Sequence, residues 1–171
     1  DGRAMNFIPR TIREFLTSSL ETDGTMNIGI QRSLKQALDA RALDEATTIR
    51  YLDQRADNLT LVQDNSVDVV VSMQSAEKMV EGGLDWRQSI REAGRVLKPG
   101  GRFLFVEKTE LGEDNYLDFV GNLAVAQQQE DEEEERFPIF ESVGWDDVDF
   151  VLIPHVAGVF IKRIDAGLTR P

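Results

Sequence analysis

The run LTLVQDNSVDVVVS at residues 59–72 ends in a near-continuous apolar segment, which predicts a strand buried on both faces of a parallel sheet. Asp68 lies inside this segment, and a buried carboxylate requires a partner. A second run, IREAGRVLKPGGRFL at residues 90–104, reads as the end of a helix, a Pro-Gly turn and another strand. Asp85 is placed to cap that helix. Strands that alternate with helices in this way predict an α/β sheet covered by helices.

Downstream of these runs, the pattern predicts a helix over residues 116–129 that leads into an acidic run at residues 130–135. Two apolar stretches, residues 148–153 and 156–162, then predict an antiparallel hairpin joined at Pro154-His155. His155 is therefore expected at the surface of a turn. The acidic run is interpreted as a solvated helix end or loop, or as a surface that docks on a basic partner.

Upstream, apolar residues follow Ile8 at helical spacing, so residues 1–24 are interpreted as an N-terminal helical segment. Residues 25–28 predict a short strand and Ser33 an N-cap, with Gln36 at the reciprocal position. Residues 47–52 predict a further strand that ends at Asp53. These elements place one α/β domain at residues 25–163, followed by a tail at residues 164–171.

Composition narrows the classes of function. The 171 residues carry a formal net charge of −12, which disfavours nucleic acid and anionic lipid and favours a small molecule or a basic protein surface. There are no cysteines and one histidine, which excludes thiolate chemistry and leaves little for zinc. No apolar run is long enough for a transmembrane segment, so a soluble protein is expected. The sequence begins at Asp1, and plastid, mitochondrion and cytoplasm all stay open.

The two runs quoted first resemble the corresponding segments of class I S-adenosylmethionine-dependent methyltransferases. Residues 59–72 are similar to an "LPxPDNSxDVVxS" strand of that superfamily, and residues 90–104 to its "lrEixRVLKPGGrlll" helix, turn and strand. Residues 142–145 look like its "eaGF" turn before the last two strands. The resemblance implies a Rossmann-like sheet, mostly parallel, with an antiparallel C-terminal hairpin.

The resemblance also implies where a cofactor would bind. Family members carry a D/E-x-G-x-G-x-G-like loop whose glycines let the cofactor approach the backbone. At residues 27–33 only Gly29 matches, because Gln31 and Ser33 occupy the later glycine positions. By the same resemblance, Asp53 matches the ribose-binding acid, and Asp57 is the alternative residue near the adenine. Gly29, Asp53 and Asp57 are therefore interpreted as vestiges of a cofactor site.

The front half of the domain also looks shortened. The residues between Gly29 and Asp64 are too few for the helices and strands that the family places there, by roughly one strand-helix unit. Two hypotheses follow. The first is a methyltransferase-like domain that has lost catalysis and its cofactor and serves as an accessory subunit of a larger protein assembly. The second is an active methyltransferase that transfers the methyl group of S-adenosylmethionine to a small molecule.

Overall fold

The computed structural model describes residues 11–19, 48–111, 114–124, 139–150 and 153–164. The chain divides into two compact units, at residues 1–55 and 56–171, and each is described by itself. The predictions for Gly29, for the strand at 25–28, for the helix after Ser33 and for the acidic run at 130–135 lie outside the described residues. No helix in the described part of the chain has the length and apolar character needed to cross a membrane.

The first unit contains two parallel strands, β1 (Glu14–Ser19) and β2 (Thr48–Arg55). Their side-by-side pairing is supported by a 2.9 Å bond from the Arg50 guanidinium to the Glu14 carboxylate. The helix predicted for the N-terminal segment is wrong over β1, because apolar residues at helical spacing were overridden by pairing with β2. The strand predicted to end at Asp53 is confirmed and extends to Arg55.

The second unit holds the remaining elements, which follow one another closely along the chain. Its strands are β3 (Val67–Met73), β4 (Leu97–Lys108), β5 (Glu110–Leu111), β6 (Asp114–Asn115), β7 (Phe140–Phe150) and β8 (Ile153–Lys162). Its helices are α1 (Ala76–Glu81), α2 (Trp86–Val96) and α3 (Tyr116–Asn122). Four strands form one sheet in the order β3-β4-β8-β7. The first pair is parallel and the other two pairs are antiparallel, so the mixed sheet predicted from the sequence is confirmed.

The C-terminal hairpin is confirmed, but its turn was placed wrongly. Strand β7 ends at Phe150 and β8 begins at Ile153, so Pro154 and His155 lie inside a strand. His155 pairs with Lys108 of β4 and is 4% exposed, which contradicts the expected surface turn. Pro154 is tolerated because a proline near the start of a strand costs few ladder bonds. Residues 142–145, predicted as a turn, form a bulged part of β7.

One face of this sheet carries the core. Helix α2 starts at Asp85, whose carboxylate accepts the Arg87 N–H at 2.9 Å, as predicted for an N-cap. The buried residues of α2 recur at helical spacing and line one face of the helix: Trp86, Ile90, Ala93, Gly94 and Val96. Aromatic rings from the strands and helices pack beneath it, with centroids 5.3–6.1 Å apart: Trp86, Phe103, Phe105, Tyr116, Phe140 and Phe160.

Strand β3 differs from its prediction. It lies at the edge of the four-stranded sheet, and Val69 and Val71 are 44% and 53% exposed. Asp68 is not buried either, and its exposed carboxylate accepts a bond from the Lys98 ammonium at 2.7 Å. The apolar run correctly predicted a strand. It could not show that one face of the strand stays uncovered within the described residues.

The predicted Pro-Gly turn at residues 98–101 lies within the start of β4, where it forms a bulge. Val67 pairs with Leu97 whereas Val69 pairs with Arg102, so residues 98–101 form an excursion from the ladder. Gly100 has φ of +78°, a conformation that glycine adopts without strain. At Gly101 a β-carbon would lie 2.8 Å from the Lys98 carbonyl oxygen and 3.1 Å from the Asp68 carbonyl oxygen.

The substitution Gly101→Ala should therefore destabilise the protein by about 1–3 kcal/mol, since the two neighbours are backbone atoms that cannot rotate away. Gly121→Ala is the matched control. Gly121 lies in α3, and a β-carbon added there would meet no atom within 4 Å, so alanine should leave stability unchanged or raise it. Urea unfolding of both variants measures the difference. Equal stability of the two variants would contradict the assigned bulge.

Candidate functional site

The carboxyl ends of β3 and β4 meet around the carboxylate of Glu107, which is 1% exposed. Its Oε1 accepts the Ser72 hydroxyl at 2.7 Å, the Ser75 hydroxyl at 2.9 Å and the Ser75 N–H at 3.1 Å. Its Oε2 accepts the Ala76 N–H at 3.0 Å. A buried carboxylate is stable only when its oxygens are satisfied in this way. Glu107 therefore has its acceptors occupied by the protein itself.

These contacts also explain where α1 begins. The first N–H groups of a helix have no intrahelical acceptor, and here the Glu107 carboxylate accepts those of Ser75 and Ala76. The N-cap residue Ser75 makes no side-chain cap of its own, because its hydroxyl bonds to Glu107 and lies 2.6 Å from the Ser72 hydroxyl oxygen. A negative charge at a helix N-terminus is electrostatically favourable. One carboxylate thus joins β3, β4 and α1.

Tyr116 closes the cluster from the side of α3. Its ring stacks on Trp86 with centroids 5.3 Å apart, and its hydroxyl is buried without a hydrogen-bond partner among the described residues. Burial raises the pKa of this hydroxyl well above its ordinary value, and the Glu107 charge raises it further. The Ser72 hydroxyl is near enough to lower the pKa somewhat, although the two groups are not in hydrogen-bonding geometry. The phenol therefore stays neutral.

His155 lies beside this cluster with both ring nitrogens in use. Its Nδ1 is 2.8 Å from the Ile153 carbonyl oxygen, which can only accept, so Nδ1 carries the proton. Nε2 lies 3.2 Å from the Gln74 amide nitrogen, which is a donor, so Nε2 accepts in this arrangement. Gln74 follows β3 with φ of +50°, an uncommon conformation for a residue with a side chain. His155 can act as a base only if Gln74 first moves away.

The outer rim of the same edge is polar and partly exposed. The Lys108 ammonium donates to the Glu77 carboxylate of α1, and their side chains are 29% and 47% exposed. Gln74 is exposed beside them. In open α/β sheets, ligands bind outside the carboxyl ends of parallel strands. The rim could hydrogen-bond a polar ligand, while the cluster beneath it is closed.

Two of the three residues predicted as cofactor contacts, Asp53 and Asp57, lie within the described residues. Asp57 is 8% exposed, and its Oδ2 accepts the Asp85 N–H at 3.2 Å. A ribose or adenine contact would have to share the carboxylate with this backbone bond, and the cofactor role of Asp57 stays a prediction. Asp53 lies in β2 of the first unit. Gly29 lies outside the described residues.

The loop that follows Asp57 is held by Arg95 of α2. The Arg95 guanidinium donates to the carbonyl oxygens of Leu59 and Val62 at 2.8 and 3.0 Å, and to the Asp64 carboxylate at 2.6 Å. The Glu92 carboxylate bonds both Arg95 and the Leu59 N–H at 2.8 Å. The bond from Arg95 lowers the pKa of Glu92, burial opposes that effect, and the Leu59 N–H lowers the pKa further.

Sequence reasoning missed the Glu107 cluster. The available signal was a carboxylate directly after the apolar run of β4, with one serine at the end of the neighbouring strand and another just after it. Carboxyl ends of adjacent parallel strands meet at one edge, so these residues could have been placed together. The central position of Glu107 between two strands and a helix could not have been read from that pattern.

Glu107→Gln should destabilise the protein by about 1–3 kcal/mol, because an amide nitrogen would face a donor and leave buried groups unpaired. Glu110→Gln removes the same charge at an exposed position and serves as the control. Urea unfolding at pH 7 gives both free energies. A Glu107→Gln variant as stable as the control would show that the cluster contributes nothing to stability.

The contribution of Glu92 should depend on pH. Its folded-state pKa lies below the ordinary value of 4.5, so its ionised form stabilises the fold above that value. The contribution is lost as pH falls through the folded-state pKa. Glu92→Gln should therefore cost about 1–3 kcal/mol at pH 7 and less at acid pH. Unfolding free energies between pH 7 and pH 3, with exposed Glu81→Gln as control, test this; a constant difference would contradict it.

Comparison with known proteins agrees with this architecture. The methyltransferase domain family matches residues 14–105, more than half of the 171 residues. The crystal structure of the [4+2]-cyclase SpnF superposes with a TM-score of 0.57 at 19% identity, covering 90% of this chain and 67% of SpnF. The chain thus spans about two thirds of the length of that protein. No curated protein matches the chain.

Two further structures share the fold. The N-methyltransferase NodS from Bradyrhizobium japonicum WM9 has a TM-score of 0.54 at 11% identity, with 88% of this chain and 72% of NodS covered. A putative rRNA-methylase from Clostridium thermocellum has a TM-score of 0.51 at 12% identity, with 95% and 93% covered. At these identities the structures show a common fold alone. The family match establishes that the chain belongs to the methyltransferase domain family of the class I S-adenosylmethionine-dependent methyltransferases, and the three structures agree with it in fold.

Proposed function

We propose that the chain is a methyltransferase-like domain without catalytic activity that serves as an accessory subunit of a larger protein assembly. The observation that carries this proposal is the closed cluster at the carboxyl ends of β3 and β4. Both carboxylate oxygens of Glu107 accept hydrogen bonds from the protein itself, from Ser72, Ser75 and Ala76. His155 uses both ring nitrogens beside it. A catalytic base or acid needs a free acceptor or donor that a substrate can reach.

The cofactor residues support the same proposal. Asp57 is 8% exposed and its Oδ2 already accepts the Asp85 N–H, which leaves little of the carboxylate open to a nucleoside. In the sequence, Gln31 and Ser33 stand where the family resemblance calls for glycine, and side chains there crowd a cofactor. The fold itself does not require methyl transfer, since SpnF is named for a [4+2]-cyclase reaction.

A second candidate is favoured by the polar rim above the cluster. Gln74, Glu77 and Lys108 lie at the edge where α/β proteins bind ligands, and each is at least partly exposed. Under this hypothesis the chain is an active S-adenosylmethionine-dependent methyltransferase, and the rim binds a polar small-molecule acceptor. Such an enzyme would have to bind S-adenosylmethionine first, which separates the two candidates.

Calorimetric titration of the chain with S-adenosylmethionine, and with its demethylated product, tests the proposal. We expect no saturable heat, corresponding to a dissociation constant weaker than about 1 mM. The substitution pair Gln31→Gly and Ser33→Gly provides a companion variant in which the glycines of the family loop are restored. Micromolar binding by the unaltered chain would overturn the non-catalytic proposal and favour the enzyme.

A further inference from the structure

The four-stranded sheet of the second unit has an apolar face opposite its aromatic core. Register places Val71 beside Leu104 and Leu104 beside Val159, so these side chains project to one side. Met73, Val106 and Ala157 form the next row along the strands. A groove of about 530 Å³ runs along this face, and its lining includes these six residues and residues 144–146 of β7.

This face is exposed rather than filled. Val71 and Met73 are 53% and 52% exposed, and Val69 on the same side is 44% exposed. Leu104, Val106 and Val159 on the neighbouring strands are half-buried, whereas the opposite face fully buries Phe103, Phe105 and Phe160. A contiguous exposed apolar patch of this kind is typical of an interaction site. The groove is therefore a surface on which something can dock.

The acidic residues at the β7 border of the groove indicate the charge of the partner that would bind there. Asp146 lines the groove from β7, and Glu141 projects to the same side by its register with Ile161. Both are exposed, and neither has a hydrogen bond or ion pair with another described residue. Two cationic residues also lie on this face. Arg102 is in the same row as Glu141, since both pair with Ile161, and it offsets part of the Glu141 charge; neither of the two lines the groove. Lys108 lies one row beyond Val106 and is paired with Glu77, so Asp146 is the acid of the lining without a cationic partner among the described residues. The β7 side of the groove therefore favours cationic groups.

Dimensions favour a helix as the docked element. Three inter-strand spacings separate β3 from β7, which makes the face roughly 14 Å wide. A helix with its side chains is about 10–12 Å across, and helices are the usual cover of α/β sheets. An amphipathic helix could place apolar residues in the groove and a row of lysine or arginine residues along β7.

We propose that this face docks a cationic amphipathic helix of a protein partner, with Asp146 and Glu141 pairing with its basic side chains. This inference rests on the proposed accessory function and names the chemistry of the partner. Apolar contact with Val71, Met73, Leu104 and Val106 supplies the affinity. The acidic border of β7 sets the orientation of the helix and disfavours acidic helices.

The probe is a fluorescein-labelled helical peptide built from leucine and lysine, roughly 18 residues or five turns long. A matched peptide carries glutamate in place of every lysine. Fluorescence anisotropy with the complete chain should give saturable binding of the lysine peptide, weakened by added salt, and at least tenfold weaker binding of the glutamate peptide, about 1.4 kcal/mol. Similar affinity for both peptides would overturn the proposal.

Three variants locate the site. Met73→Glu puts a charge into the groove and should weaken binding by about tenfold or more. Asp146→Lys should weaken it by about threefold to tenfold. Asp147→Lys makes the same charge change at the next residue, which projects to the opposite face and should leave affinity nearly unchanged. All three positions are exposed, and circular dichroism with urea unfolding verifies folding.

Equal effects of Asp146→Lys and Asp147→Lys would overturn the proposal, as would binding that is insensitive to Met73→Glu. Sedimentation of the chain alone adds a further outcome. A dimer that Met73→Glu dissociates would assign the face to a second copy of the chain instead. The cofactor titration separates this inference from the proposed function. If the chain binds both S-adenosylmethionine and the lysine peptide, only the non-catalytic proposal is overturned. If it binds neither, only the docking proposal is overturned.

Discussion

The buried carboxylate of Glu107 is the interaction on which the second unit most depends. An ionised group in the interior is costly unless every lone pair that it presents finds a donor. Here the donors come from the end of β3 and from the start of α1, so the ends of three elements converge on one side chain. The arrangement explains why α1 begins at Ala76 without a conventional side-chain cap. These hydrogen bonds also occupy the Glu107 carboxylate, which at this edge of the sheet could otherwise bind a ligand.

Much of this unit could be predicted from the sequence because its strongest signals are local. A Pro-Gly pair beyond an amphipathic run and an aspartate before it define both ends of α2, and the structure confirms both. The apolar runs of β3 and β4 likewise predicted strands. Such patterns depend on neighbouring residues along the chain, so no tertiary information was needed.

The errors arose where a distant partner decides the outcome. Residues of β1 have helical spacing, yet pairing with β2 makes them a strand. His155 follows a proline and looked like a turn residue, but pairing with β4 and β7 draws it into the sheet. Burial was misjudged for β3 for a related reason, because an apolar run does not say whether each face of its strand is covered. The site could not be predicted for the same reason, because the hydrogen-bond partners of Glu107 are serines more than thirty residues away in the sequence.

Arg95 determines which substitutions the loop at residues 59–64 tolerates, through the contacts that hold the loop in place. Three of its contacts reach main-chain atoms of the 59–64 loop, namely the carbonyl oxygens of Leu59 and Val62 and, through Glu92, the Leu59 N–H. Main-chain atoms are the same whatever side chain a residue carries. The loop can therefore exchange exposed residues such as Leu61, which is 71% exposed, while keeping its path. Substitutions of exposed side chains in this loop therefore leave its shape unchanged. The shape depends instead on Glu92 and Arg95 of α2, about thirty residues further along the chain.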